Sequence, residues 1–247
     1  MRSEENRLRV SPTYLSDIQS PKEVKDTSRA FLIEWIIDVH RKFRLNSETL
    51  YVTVLLIDRF LSLRQIKKSQ LHILGVTSLL IATKYEEIYP PELKDLLNVS
   101  ENKFTRDEVL VMEKQMLITL QFDVTSPSAY RFLERFYNLN TMASQSKIFF
   151  FAQYLQEITL LDASLLQYSP SEIAAACLIL SAKHIKKVNV WSREMETASG
   201  YSETHLTPII KEVKSFVEEV NPKFLTTLKY KFSKPDYEAV ASIALKF

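Results

Sequence analysis

Lys84 and Glu113 are the first residues of this chain whose types and placement suggest chemistry. Lys84 follows an apolar run, LHILGVTSLLIA (71–82), and opens the stretch KYEEIYPPE (84–92). Glu113 lies within TRDEVLVMEKQMLITL (105–120), which has helical character. If the two helices pack side by side, the pair forms one charged spot ringed by Tyr85, Leu117, Phe122 and Val124. Such a spot is the chemistry of a contact surface. The plainer reading is a surface ion pair, worth at most about 1 kcal/mol. Lys183 and Glu212 stand 99 positions further on and favour that plainer reading, a pair belonging to the fold. Pro90 and Pro91 break the chain just beyond and make the lip short and rigid. A second candidate is Phe31, Leu32 and Trp35. On an amphipathic helix they are either core or, if that face is only partly covered, a shallow groove of the kind that takes peptides.

No other constellation has reactive spacing. The four histidines are His40, His72, His184 and His205. None belongs to a Glu-x-x-His or His-Glu-x-x-His motif, so a helical metal site is unsupported. There is no Gly-rich phosphate loop and no Gly-x-Ser-x-Gly elbow. The expectation is therefore no catalytic residues, no metal and no cofactor, with each histidine at the surface or in packing. Function should reside in exposed surfaces.

The elements that position these residues follow from composition and periodicity. The chain has 247 residues, 46% of them hydrophobic, enough for one large domain or two smaller ones. Only two glycines occur, Gly75 and Gly200. Tight sheet turns and phosphate loops need glycine at positive φ, so an all-α protein is expected. A net charge of +2 with mixed signs leaves no nucleic-acid footprint. A single cysteine, Cys177, sits in the apolar run IAAACLIL; it excludes internal disulfides and fits a reducing compartment. The longest near-apolar run is too short to cross a bilayer, and MRSEENRLRVS has no apolar core of a secretory signal.

The sequence also matches itself at a constant offset of 99 residues. LYVTVLLIDRFLSL (50–63) falls on FFFAQYLQEITLLD (149–162), LLIATKY (79–85) on LILSAKH (178–184), and TRDEVLVMEKQMLITL (105–120) on THLTPIIKEVKSFVEE (204–219). AFLIEWIIDVHRKF (30–43) falls more loosely on AYRFLERFYNLNTM (129–142). Two copies of one helical unit are expected. In the first, Ser47 is the expected N-cap of the second helix, and Thr105 with Glu108 makes a capping box. The run 71–85 is apolar nearly all round and belongs at the centre of a bundle. In the second copy, Ser169-Pro170 opens the central helix. Residues 121–128 are the linker, and two further amphipathic helices follow at the C-terminus.

These residues carry a family resemblance. SRAFLIEWIIDVH (28–40) resembles the opening of the cyclin box, usually written Met-Arg-Ala-Ile-Leu-Val-Asp-Trp. LLIDRFLS (55–62) and LLIATKYEEIYPPE (79–92) resemble its next two signatures. VMEKQMLITLQFDVTSPSAYRFLERF (111–136) resembles its end and the passage into a second cyclin fold. YSPSEIAAACLILSAKH (168–184), ASGYSETHLTPIIKEV (198–213) and LKYKFSKPDYEAVASI (228–243) are similar to the later parts of A- and B-type cyclins. The resemblance implies two tandem five-helix cyclin folds with N-terminal and C-terminal helices. Its divisions are a segment 1–27, a kinase-binding fold 28–124, a second fold 125–220, and C-terminal helices 221–247.

The resemblance implies a regulatory subunit that is not itself an enzyme. Its partner would be a cyclin-dependent protein kinase, bound as a heterodimer in nucleus and cytoplasm during cell division. Lys84 and Glu113 would contact the kinase, surrounded by Tyr85, Glu87, Leu117, Phe122 and Val124, with Val39 beneath and Tyr14 of PTYLSDI (12–18) alongside. Phe31, Leu32, Trp35, Asp38, Leu71 and His72 hold the positions of the family's substrate-docking patch, which takes Arg-x-Leu type substrate or inhibitor peptides. Here Ser28 replaces a methionine, Phe31 an isoleucine, Asp38 a glutamate and His72 a glutamine. Arg29 and Asp58 match an ion pair that ties the first two helices. Neither nucleic acid nor membrane is an expected partner. An alternative is a cyclin-fold transcription factor binding DNA and other proteins. That reading calls for a basic stripe and a pI above about 9, whereas the pI is about 8.4.

Overall fold

The computed structural model describes residues 2–5, 7–124, 126–139, 145–186 and 189–246. No strand occurs among them. In chain order the helices are α1 (Arg2–Glu5), α2 (Tyr14–Asp17), α3 (Asp26–Lys42), α4 (Ser47–Leu63), α5 (Leu71–Glu86), α6 (Leu93–Val99), α7 (Arg106–Thr119), α8 (Ala129–Leu139), α9 (Ser146–Thr159), α10 (Pro170–Lys186), α11 (Arg193–Ser199), α12 (Glu203–Glu219) and α13 (Thr226–Phe232). They form two compact units. One is Arg7–Ser126; the other joins α1 to the chain from Pro127 onward.

In the first unit α5 is the central helix. Leu71 and every residue from Ile73 to Thr83 are buried, as an all-round apolar pattern requires. Helices α3, α4, α6 and α7 pack around it. Gly75 lets α3 approach: a Cβ there would lie 2.6 Å from Leu32 Cδ1. Helix α7 starts on the expected capping box. Thr105 N–H donates to Glu108 Oε2 at 2.7 Å, and Glu108 N–H donates to Thr105 Oγ1 at 3.3 Å.

The cap of α4 differs from expectation: Asn46 holds the N-cap position and Ser47 is the first helical residue. The reason is tertiary. Asn46 N–H and Nδ2 donate to Glu87 at 2.7 and 2.6 Å, and Thr49 Oγ1 donates to the same carboxylate at 2.5 Å. Glu87 thereby ties the end of α5 to the start of α4.

Helix ends in this unit are made without glycine. Gln121 and Phe122 have φ of 54° and 58°. Gln121 N–H donates to Ile118 O, and Phe122 N–H to Leu117 O. This is the paired pattern of a Schellman ending. Arg44 and Glu101 close α3 and α6 by the same pairing, at φ of 52° and 60°.

The second unit repeats the plan with α10 at its centre and α8, α9 and α12 around it. Pro170 is its first residue, and Ser169 N–H and Oγ both donate to Glu172 Oε2 at 2.8 Å. Cys177 is fully buried, and burial pushes its thiol well above the ordinary range, so it is a packing residue. Glu5 reaches the start of α10, accepting from Ser171 N–H at 2.9 Å and Ser171 Oγ at 2.8 Å.

Candidate functional site

Two surfaces of the first unit carry the candidate residues. At the first, α5 and α7 lie side by side. Lys84 Nζ donates to both oxygens of Glu113, at 2.7 and 3.0 Å. Lys84 is half-exposed and Glu113 largely covered, so the ammonium stays open to solvent while its carboxylate partner is mostly shielded. Tyr85 is exposed beside it. Leu117 and Val124 are half-buried, and Phe122 is 69% exposed. The strained turn that ends α7 projects Phe122. Arg59, on α4, donates to the backbone oxygen of Asp123, whose carboxylate pairs with Arg7. Residues 122–124 are thus held from two sides.

Residues that sequence reasoning passed over enlarge this surface. Ile88 is 86% and Tyr89 91% exposed, in the lip between α5 and Pro90. Val111 and Ile118 are also exposed, but on a face of α7 turned well away from Glu113. Large apolar side chains left in water on neighbouring elements mark an interaction site. Their sequence signal was the charged-to-aromatic stretch EEIYPPE itself.

The other residues expected here have inward roles. Val39 is buried in α3, beneath the surface. Glu87 is occupied by Asn46 and Thr49. Tyr14 is only 1% exposed. Its hydroxyl donates to Asp58 Oδ1 at 2.7 Å, where Arg29 Nε also donates at 2.7 Å; Arg29 Nη2 takes Oδ2 at 2.7 Å. Burial foremost, and the Asp58 charge after it, raise the Tyr14 hydroxyl far above its ordinary value. Tyr14 therefore presents no outward surface and joins α2 to the Arg29–Asp58 pair.

The second copy does not reproduce the charged spot. Lys183 Nζ donates to Glu203 at 2.8 Å. Glu212 accepts instead from Gln167 Nε2 at 2.8 Å and Tyr168 OH at 2.5 Å. The Lys84–Glu113 pair is therefore not a property of the repeat: the same offset leads to different partners.

The second surface lies on α3 and α5. Phe31 is 60% exposed; Trp35 is half-buried; Leu32 and Leu71 are buried beneath. The face is thus neither core nor fully open. Trp35 meets His72 edge-on with ring centroids 4.5 Å apart, and His72 meets Phe104 in the same way at 5.5 Å. His72 Nε2 is buried without a hydrogen-bond partner. Burial foremost, with Lys103 adding to it and Glu101 opposing, lowers the His72 pKa below 6.5. Asp38, on the same face, is bound by Arg41 at 2.8 Å and Lys42 at 2.7 Å. Partial burial pushes its carboxyl up, but these two cations prevail and hold it below the ordinary value.

Neither surface gathers a nucleophile and base, and no cluster of three metal-ligating side chains occurs among the described residues. Both surfaces are suited to binding.

Comparison with known proteins agrees with this architecture. A family model described as cyclin, N-terminal domain, matches residues 1–125, and one described as cyclin, C-terminal domain, matches residues 127–246. A G2/mitotic-specific cyclin-B of Marthasterias glacialis is 34% identical over 244 residues, covering 99% of this chain. The chain spans 61% of the length of that relative. Among solved structures, a viral cyclin from herpesvirus saimiri superposes with a TM-score of 0.75 at 23% identity, covering 89% of this chain and 99% of the viral one. A chain of the yeast RNA Pol II CTD kinase CTDK-1 complex gives a TM-score of 0.69 at 13% identity, covering 89% of this chain and 73% of its own. Two all-helical units, a family model matched to each, and B-type relatives along nearly the whole chain lead to one assignment: this chain belongs to the cyclin family.

Proposed function

We propose that this chain binds and activates a cyclin-dependent Ser/Thr protein kinase and recruits substrates to it, so controlling cell-cycle progression. The observation that carries the proposal is the Lys84–Glu113 spot with its exposed rim of Tyr85, Ile88, Tyr89 and Phe122. The family and its B-type relatives supply the class of partner. One of the similar folds comes from a complex described as a kinase. The proposed place of action is the nucleus and cytoplasm.

The mechanism is allosteric. Phosphoryl transfer requires the kinase's β3 lysine to pair with the glutamate of its αC helix, and its activation loop to be correctly placed. A free kinase populates states in which that pair is broken. A rigid helical surface that fits only the paired state shifts the population by its differential affinity. The buried α5 provides such rigidity directly behind Lys84. ATP and magnesium belong to the kinase.

The test is reconstitution with a panel of purified cyclin-dependent kinases, read as phosphorylation of a peptide substrate. The wild-type chain should activate at least one of them. Lys84→Ala/Glu113→Ala should lose roughly tenfold or more of that activation, a factor that corresponds to about 1.4 kcal/mol. Its circular dichroism should be unchanged. Equal activation by both proteins would remove this surface from the proposal. Activation of no kinase, joined to salt-dependent DNA binding, would favour the transcription-factor reading.

A further inference from the structure

The lip between α5 and α6 carries a tyrosine placed unlike any other in the chain. Three tyrosines are exposed, Tyr85, Tyr89 and Tyr230. Tyr85 lies within α5. Tyr230 lies within α13, with Lys234 Nζ 4.0 Å from its ring centroid. Tyr89 is 91% exposed and belongs to no helix, since α5 ends at Glu86 and α6 starts at Leu93. Pro90 biases the backbone of Tyr89 away from the helical region, and neither Pro90 nor Pro91 has an N–H to tie the lip down. A hydroxyl carried in this way can be brought in line with a nucleotide bound to another protein, whereas a hydroxyl on a packed helix brings its helix with it. Charge adds a preference. From Lys84 to Asp95 the acids are Glu86, Glu87, Glu92 and Asp95, and the bases are Lys84 and Lys94. Lys84 is held by both oxygens of Glu113, and Lys94 pairs with Glu92. The segment is net acidic and complements a basic cleft.

We propose that Tyr89 is a phosphorylation site for a protein tyrosine kinase with a basic peptide cleft, and that phosphate there releases the cyclin-dependent kinase from the lip. The second half rests on the reading of this lip as a kinase contact and names its regulation. Tyr89 Oη attacks the γ-phosphorus of ATP held by the tyrosine kinase. The new O–P bond forms as the bond from phosphorus to the β–γ bridging oxygen breaks. ADP leaves, and the phenolic proton passes to the catalytic aspartate of that kinase. The phosphate brings a charge of about −1.5 to −2 at pH 7. It stands on the same rim as Tyr85, Ile88 and Phe122, in a segment whose two lysines are already paired. Seating a partner there would strip water from the phosphate among apolar side chains and acids, which disfavours the bound state.

The test incubates the free full chain with ATP, magnesium and the recombinant catalytic domain of a tyrosine kinase that prefers acidic peptides, and follows phosphopeptides by mass spectrometry. Phosphate should enter Tyr89 at least about tenfold faster than Tyr85 or Tyr230. Tyr89→Phe, a change at an exposed position, should lose most of the incorporation with the helical signal intact. The phosphorylated wild type should then lose roughly tenfold or more of its activation of the cyclin-dependent kinase, and a tyrosine phosphatase should restore it. The same treatment should leave Tyr89→Phe at its own untreated level, so that the loss belongs to this site. Phosphate that enters Tyr85 or Tyr230 as fast as Tyr89, or that does not enter Tyr89, would overturn the site. Undiminished activation by a chain fully phosphorylated at Tyr89 would overturn the release. Modification needs no cyclin-dependent kinase. Normal activation by the untreated chain with no phosphate on Tyr89 ends this inference alone. Failed activation with fast modification of Tyr89 ends the kinase reading, and the release with it, while the site stands.

Discussion

Asp58 draws three hydrogen bonds in the interior of the first unit, two from Arg29 and one from Tyr14. A buried carboxylate and guanidinium are held against desolvation only by such complete pairing. Asp58→Ala leaves Arg29 charged, buried and without its carboxylate, which should cost about 3–5 kcal/mol. Tyr14→Phe removes one hydrogen bond to an ionised group, which should cost about 1.5–3 kcal/mol. Urea unfolding followed by circular dichroism should therefore rank Asp58→Ala well below Tyr14→Phe, with wild type highest. If Tyr14→Phe matched wild type, the hydroxyl would have no part in holding α2. The sequence motifs marked the Arg29–Asp58 pair, but expected Tyr14 on an outward surface. Its burial depends on contact with a residue 44 positions away, and no local pattern reports that distance.

At the scale of elements, most of the architecture was legible because it is periodic. Helix α5 is apolar all round and is buried all round. The Thr105–Glu108 capping box and the Pro170 start are equally local signals. The helix ends were less legible. A chain with two glycines offers few C-terminal stop signals, and it uses Arg44, Glu101 and Gln121 where glycine is the usual residue. A left-handed conformation costs a non-glycine residue about 1–2 kcal/mol. Glycine adopts it freely, at a larger loss of chain entropy on folding. The first effect should win at Gln121, which is exposed and whose φ is 54°. Gln121→Gly should raise the unfolding free energy by about 0.5–1 kcal/mol, read as a higher urea midpoint. Kinase activation should be unchanged, because Phe122 keeps its bond to Leu117 O. A lower midpoint would mean that the Gln121 side chain stabilises the turn in its own right.

Over the whole molecule, stability and the proposed function draw on different residues. Each unit buries an ion pair: Arg29–Asp58 in the first, and Glu157–Lys231 in the second. Lys231 Nζ reaches both oxygens of Glu157, at 2.6 and 2.8 Å, and so fastens α13 to α9. The partners stand 74 residues apart, and neither the repeat nor the family motifs pointed to the pair. Lys231→Met strands a buried carboxylate and should destabilise by about 3–5 kcal/mol, whereas adding Glu157→Leu should recover much of the loss. Activation of the kinase, measured well below the unfolding transition, should survive both changes, since every proposed kinase contact lies in Arg7–Ser126. Lys84→Ala/Glu113→Ala should show the reverse. The loss of a half-exposed pair costs at most about 1 kcal/mol, while activation collapses. Thermal unfolding and kinase activation on the same preparations separate the two classes. A Lys231→Met chain that remains folded yet fails to activate would place part of the activating surface in the second unit, and the boundary drawn here around the kinase site would have to move.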